Sequence, residues 1–181
     1  MTIISSIFLF VLAVFPMLIN EPVNPHSKEI QKEIRKHLGL DAPVLKALIK
    51  DASVNTDQNF GNFYSVFSSE ATSGVGFLYV GRVYTCRQES CSNNVAVSEY
   101  FDYFILYNSS KQVEFVKVTA YKATRGHQMA SAGWLRQYKK YDGSKPLLVG
   151  KDIDAISGAT VSVKAINEDI MRVTKQLLNI N

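Results

Sequence analysis

The chain has 181 residues, 46% of them hydrophobic, with a formal net charge of +4. That length suits one domain with a sizeable core behind a short N-terminal targeting segment. The charge is mild and its cations alternate with acids or aromatics, which argues against a nucleic-acid partner, since those binders gather cations on one face. A solvated basic surface is preferred over one that faces an acidic partner or lipid headgroups.

In chain order, residues 3–19 form an almost unbroken apolar run, interrupted by Ser5, Ser6 and Pro16. The run is near the lower length limit for a spanning helix and equally suits the apolar core of a signal peptide. With no basic n-region beyond the α-amino group and no small-x-small site before Asn20, an uncleaved anchor is favoured over a removed signal. A buried core helix is the plain alternative. Anchor and signal both put the rest of the chain outside the cytoplasm.

Residues 21–27 hold two prolines, Pro22 and Pro25, and read as a linker. Ser27 can cap a helix through about Leu38, with Ile30, Ile34 and Leu38 on one face and Gly39 at its end. Asp41 is the expected cap of a second helix, with Pro43 early in it and Val44, Leu45, Leu48 and Ile49 as its apolar face. Residues 51–62 are polar and rich in turn formers, so a boundary is expected there.

Downstream the period shortens to that of strands. Residues 76–84 and 100–107 read as strands. Asn108, Ser109 and Ser110 form a turn, and 112–121 return as the second arm of a β-hairpin. Residues 123–132 look irregular, 133–141 form a short amphipathic helix around Trp134, Leu135 and Tyr138, and 145–149 suggest one more strand. Val163, Ile166, Ile170, Val173 and Leu177 recur at three- and four-residue steps, which predicts a helix beginning at or just after Thr160. The expected fold is α+β: a mainly antiparallel sheet packed by the C-terminal amphipathic helix, with an N-terminal helical lead-in.

Cys86 and Cys91 lie close together in a polar stretch and are assigned to a structural disulfide in an oxidising compartment, with two free thiols as the alternative. They are not a C-x-x-C pair, and His26, His37 and His127 add no zinc-ligand spacing, so no metal site is expected.

The chemistry is expected at Asp154-Ala155-Ile156-Ser157-Gly158-Ala159-Thr160, just ahead of the last helix. A helix start leaves backbone N–H groups without partners and carries partial positive charge. Gly158 lets the chain turn tightly, and a hydroxyl at Thr160 stands where a phosphate is well accommodated. Ser157 adds a hydroxyl and Asp154 a carboxylate. Taken alone, Ser-Gly-Ala-Thr also reads as an ordinary turn with a Thr N-cap.

The seven-residue segment resembles the flavinylation motif of the FMN-binding domain family, which includes the covalent-FMN subunits of the Rnf complex and of sodium-translocating NADH:quinone reductase. The stretch 81–91, the strands 100–107 and 112–121, and Gly133-Trp134-Leu135-Arg136-Gln137-Tyr138 are similar to small exported members. The likeness spans roughly residues 74–178. It implies that Thr160 carries FMN through a phosphoester, installed from FAD by a Mg-dependent flavin transferase. Ser157, Gly158 and Ala159 would then form the recognised turn and Asp154 its acidic position. The implied organisation is residues 1–20 as signal peptide or anchor, 21–59 as linker and helical lead-in, and 60–181 as the FMN-binding domain.

A flavin carrier explains the lack of other catalytic signatures. There is no G-x-S-x-G, H-E-x-x-H or P-loop, and Gly74-x-Gly76 lacks a third glycine because Tyr79 stands there. The expected role is that of an electron carrier or redox subunit working with membrane redox partners, not a stand-alone enzyme. Trp134 could stack on the flavin or serve the core, His127 could reach the ring edge or stand free in a loop, and Arg125 and Arg136 could counter the phosphate or an anionic reduced flavin. A non-redox exported interaction module with the same fold and a flavin-dependent terminal reductase are the competing readings.

Overall fold

The computed structural model describes residues 23–48, 59–69, 74–86 and 99–180. The apolar run at 3–19, Cys91 and the side chain of Cys86, and with them the expected disulfide, lie outside the described residues.

Five strands form one antiparallel meander in the order β1 (Pro43–Ala47), β2 (Asn59–Ser68), β3 (Gly74–Cys86), β4 (Glu99–Asn108) and β5 (Val113–Tyr121). The sheet is covered on both sides. Along β4, Phe101, Tyr103, Ile105 and Tyr107 face one core, and Phe104 and Leu106 face the other. This two-residue alternation divides the strand's apolar residues between the two sides. With helices over both, the strand reads as a nearly continuous apolar run instead of a half-polar one.

One side is closed by α1 (Lys28–Leu38). Ser27 caps it by accepting from the Ile30 N–H at 3.3 Å, and Gly39 ends it at φ +69°, a left-handed turn that glycine adopts without strain. Ile30 and Ile34 pack with Val66, Leu78, Val80, Phe104 and Leu106. Lys117 of β5 then ties the helix down through Glu29 at 2.9 Å and Glu33 at 3.3 Å.

The opposite side is closed by the short α2 (Ala132–Leu135), a 3-10 turn at Arg136–Tyr138, and the long α3 (Thr160–Leu178). Val163, Ile166, Ile170, Val173 and Leu177 are all buried here, the face that the heptad-like spacing predicts. Buried tyrosines set the helix against the sheet. Tyr103 donates to Asp169 at 2.5 Å, Tyr107 meets Thr174 at 3.0 Å, and Tyr138 donates to Asn167 at 3.3 Å. Buried hydroxyls and carboxylates are costly without partners, so these contacts specify where α3 lies.

Two local expectations are corrected. The segment after Asp41 is a strand, not a helix: β1 pairs with β2 from Pro43↔Ser68 to Ala47↔Tyr64. It lies at the edge of the sheet, where a proline is tolerated, and pairing with β2 outweighs the local helix-start signal. Residues 145–149 do not form a further strand and make only an isolated bridge, Val149↔Ile153. The Asp152 carboxylate accepts from Leu148 N–H at 3.0 Å while Leu148 O accepts from Asp152 N–H at 2.8 Å, folding the segment into a tight turn. The strand β2 was not expected at all. No helix among the described residues is long and apolar enough to cross a membrane.

Candidate functional site

The motif ahead of α3 alternates anchors and exposed groups. Ile153 and Ala159 are buried and Ile156 packs partly against the same core, whereas Asp154, Ser157, Gly158 and Thr160 are exposed. Gly158 holds φ +77° with open space where a Cβ would stand, so its need is for the left-handed turn alone.

Thr160 is the first residue of α3, and Ala159 holds the N-cap position without a side-chain capping bond. The Thr160 hydroxyl is therefore not spent as a cap. The first hydrogen bond into the helix is Val163 N–H to Ala159 O at 2.9 Å. The amides of Thr160, Val161 and Ser162 have no partner among the described residues, and no acidic residue sits in the first turn. Bare amides and an uncompensated dipole make this end favourable for an anion.

Thr160 lines an open groove of about 460 Å³ together with Thr85, Glu99, Thr124, Arg125, Gly158, Ala159, Val161 and Ser162. Arg125 supplies positive charge. Glu99 is held by Thr124, which donates from its amide at 3.1 Å and from its hydroxyl at 2.6 Å. Val161 is 64% exposed, an unusual apolar surface beside so polar a turn. Thr85 Oγ1 is buried without a hydrogen-bond partner among the described residues.

The loop after β5 is pressed against the first turn of α3. Tyr121 Oη donates to the Arg125 carbonyl at 2.6 Å and lies 2.7 Å from Ser162 Oγ. Partial burial raises the Tyr121 pKa, the Ser162 hydrogen bond opposes that shift, and Glu99 adds to it. His127 is exposed and stands edge-on to the Tyr121 ring at 5.6 Å, so it reaches this corner through Tyr121.

Trp134 lies behind the motif, only 8% exposed, and donates its indole N–H to Asp154 O at 3.0 Å. Gln137 completes the clamp: its Oε1 accepts from Asp154 N–H at 2.8 Å and its Nε2 donates to Trp134 O at 3.0 Å. Thr160, Gly158 and Ala159 thus share one groove with Arg125, whereas Arg136 lines a different cavity. Ser157 and Asp154 sit just upstream, exposed. Tyr121, Ser162, Glu99, Thr124 and Thr85 were missed from the sequence, where only the closeness of Ser162 to Thr160 along the chain hinted at a role. Among the described residues no three His, Cys, Asp or Glu gather to hold a metal ion.

Residues 101–175, running from β4 into α3 and including Thr160, match the FMN-binding domain family. That match supports an FMN-binding domain in this part of the chain, and with it a flavin-binding protein whose cofactor is FMN. No curated protein and no solved structure matches the chain. The groove fits such a group on its own terms. It offers free helix-start amides and Arg125 for a phosphate, unspent hydroxyls at Thr160 and Thr85, and bare apolar surface at Val161.

Proposed function

We propose that the protein is an extracytoplasmic electron-transfer flavoprotein whose FMN is esterified through its phosphate to Thr160. The observation that carries this reading is the Thr160 hydroxyl, which stands exposed and uncommitted at the opening of a 19-residue helix. Attachment there would join Thr160 Oγ to the FMN-side phosphorus of FAD as the pyrophosphate bond breaks, with AMP as the leaving group and the hydroxyl proton taken by a base of the transferase. Bound FMN supplies one- and two-electron redox chemistry.

The chain's own residues do the rest. The amides of Thr160, Val161 and Ser162, with Arg125, would hold the phosphate and offset its charge. Trp134 and Gln137 hold Asp154 so that the exposed turn at Ser157 and Gly158 presents one shape to a flavin transferase. A tether suits a compartment where a dissociated flavin would diffuse away, and the apolar run at 3–19 supports that location and attachment to the membrane. Membrane redox proteins are the expected electron partners.

The test is the mass and colour of protein matured with the transferase, after denaturation. Retained flavin on the peptide holding Thr160 is expected, and Thr160→Ala should lose it with stability changed by no more than about 0.5 kcal/mol, because the side chain caps nothing. A colourless wild type made beside an active transferase would favour the non-redox module instead.

A further inference from the structure

A second cavity, of about 230 Å³, opens at the free edge of the sheet and shares no lining residue with the groove at Thr160. It is lined by Lys36 and His37 from the last turn of α1, by Glu114, Phe115 and Val116 of β5, and by Ala132, Leu135, Arg136 and Lys139 from α2 and its continuation. Because β5 is the last strand in the order, helices from opposite faces of the sheet meet at its edge around this space.

Its chemistry is divided. Phe115, Val116, Ala132 and Leu135 make an apolar floor, and His37 lies flat on the Phe115 ring at 4.2 Å. Lys36, Arg136 and Lys139 supply positive charge. Glu114, the lining's carboxylate, lies 3.3 Å from Lys139. Lys36 and Arg136 have no acidic partner among the described residues. His37 Nε2 is 3.5 Å from Glu33 Oε2, and both atoms are buried without a hydrogen bond among the described residues. The unmet imidazole nitrogen of His37 and the cations of Lys36 and Arg136 beside an apolar floor are what an amphipathic anion satisfies, while the Glu33 carboxylate behind His37 limits how much negative charge the site takes.

We propose that this cavity binds a small organic carboxylate, with its charged end among Lys36, Arg136 and Lys139 and its apolar body on Phe115, Val116 and Leu135. The volume is below the roughly 300–1,000 Å³ of drug-sized sites, which sets the size of the ligand. A single negative charge suits the two unpaired cations better than a phosphate does, because Glu114 repels a dianion and the floor offers phosphate nothing. His37 reports occupancy. Burial, above all, holds its pKa down, aided by Lys36 and Lys139 and opposed by Glu33 and Glu114, so an arriving carboxylate raises it. The proposal is independent of how flavin is attached.

The probe is benzoate, titrated into the full chain while the His37 ring and Phe115 signals are followed by NMR. Saturable shifts are expected, with the His37 pKa rising in the complex. Benzyl alcohol, of the same shape without the charge, should bind at least tenfold more weakly, and Arg136→Gln or Lys36→Gln should each weaken benzoate by about tenfold. Both side chains are exposed, so the variants fold, and Lys164→Gln on the far helix serves as a control that should change nothing. Equal binding of benzyl alcohol, indifference to Arg136→Gln and Lys36→Gln, or absence of saturation would each overturn the proposal. So would an acidic peptide that occupies the cavity where benzoate does not, since that outcome makes it a protein-docking site.

Discussion

The hydroxyls of Tyr121 and Ser162 meet at 2.7 Å and join the end of β5 to the first turn of α3. Tyr121 has one proton and donates it to the Arg125 carbonyl at 2.6 Å, so Ser162 must be the donor in this pair. The loop that carries Arg125 to the groove is thereby tied to the helix that carries Thr160. Arg125 and Thr160 need no direct contact to be held in register.

Gly126 is the residue on which this joint depends, and Gly126→Ala tests it. Its φ is +90°, and an added Cβ would come within 2.9 Å of Ser162 Oγ and 3.0 Å of Tyr121 Oη. The left-handed backbone alone costs about 1–3 kcal/mol for a residue with a side chain, and the crowding adds to it. For a chain of this size the melting temperature should fall by about 2–4 °C per kcal/mol. A melting point unchanged in the variant would mean that the loop is not pinned to α3.

Much of this arrangement is legible in the sequence, and what is not has a physical reason. The Ser27 cap, the Gly39 stop, the β4–β5 hairpin and the α3 face depend on local signals that tertiary packing happens to reinforce. At Asp41 and Pro43 the local signal is equally plain, but a partner strand distant in sequence decides the outcome. β2 escaped notice because Asn59, Gly61 and Asn62 look like turn residues. Gly61 is there for another purpose: a Cβ on it would lie 2.5 Å from the Tyr79 ring, which crosses the sheet at that point. The motif at 154–160 is readable because one short segment carries it. The partners of that segment, Tyr121, Ser162 and Gln137, come from three elements whose meeting only the fold reveals.

The tyrosines between the sheet and α3 predict an alkaline limit to stability. Burial, the largest cause for each, pushes the phenols of Tyr79, Tyr103, Tyr107 and Tyr138 above their ordinary value, which is about 10. The folded protein therefore keeps these protons at pH values where the unfolded chain sheds them. Their contribution is complete below about pH 10 and is lost as pH rises toward the folded values. Denaturant unfolding between pH 8 and 11 should show stability falling above pH 10. Tyr107→Phe should make that fall shallower, since one titrating phenol is gone. At pH 8 it should cost only about 0.5–1.5 kcal/mol, as Thr174 keeps its own bond to Ile170 O at 2.7 Å. Identical alkaline slopes for wild type and variant would contradict this account.

Asp154 offers the last prediction, because both of its backbone groups are held from α2 and its continuation while its carboxylate faces solvent. Gln137→Ala removes the acceptor of the Asp154 N–H, so hydrogen exchange at that amide should speed up markedly, with exchange at Val163 unchanged because its bond to Ala159 is untouched. Trp134→Phe removes the donor to Asp154 O but preserves aromatic packing on Tyr138, whose ring lies 5.7 Å away. Each change should cost about 0.5–1.5 kcal/mol. The two variants separate holding from packing: if Gln137→Ala leaves Asp154 exchange at the wild-type rate, the clamp is not what fixes the turn, and the burial of Ile153 and Ala159 must be sufficient by itself.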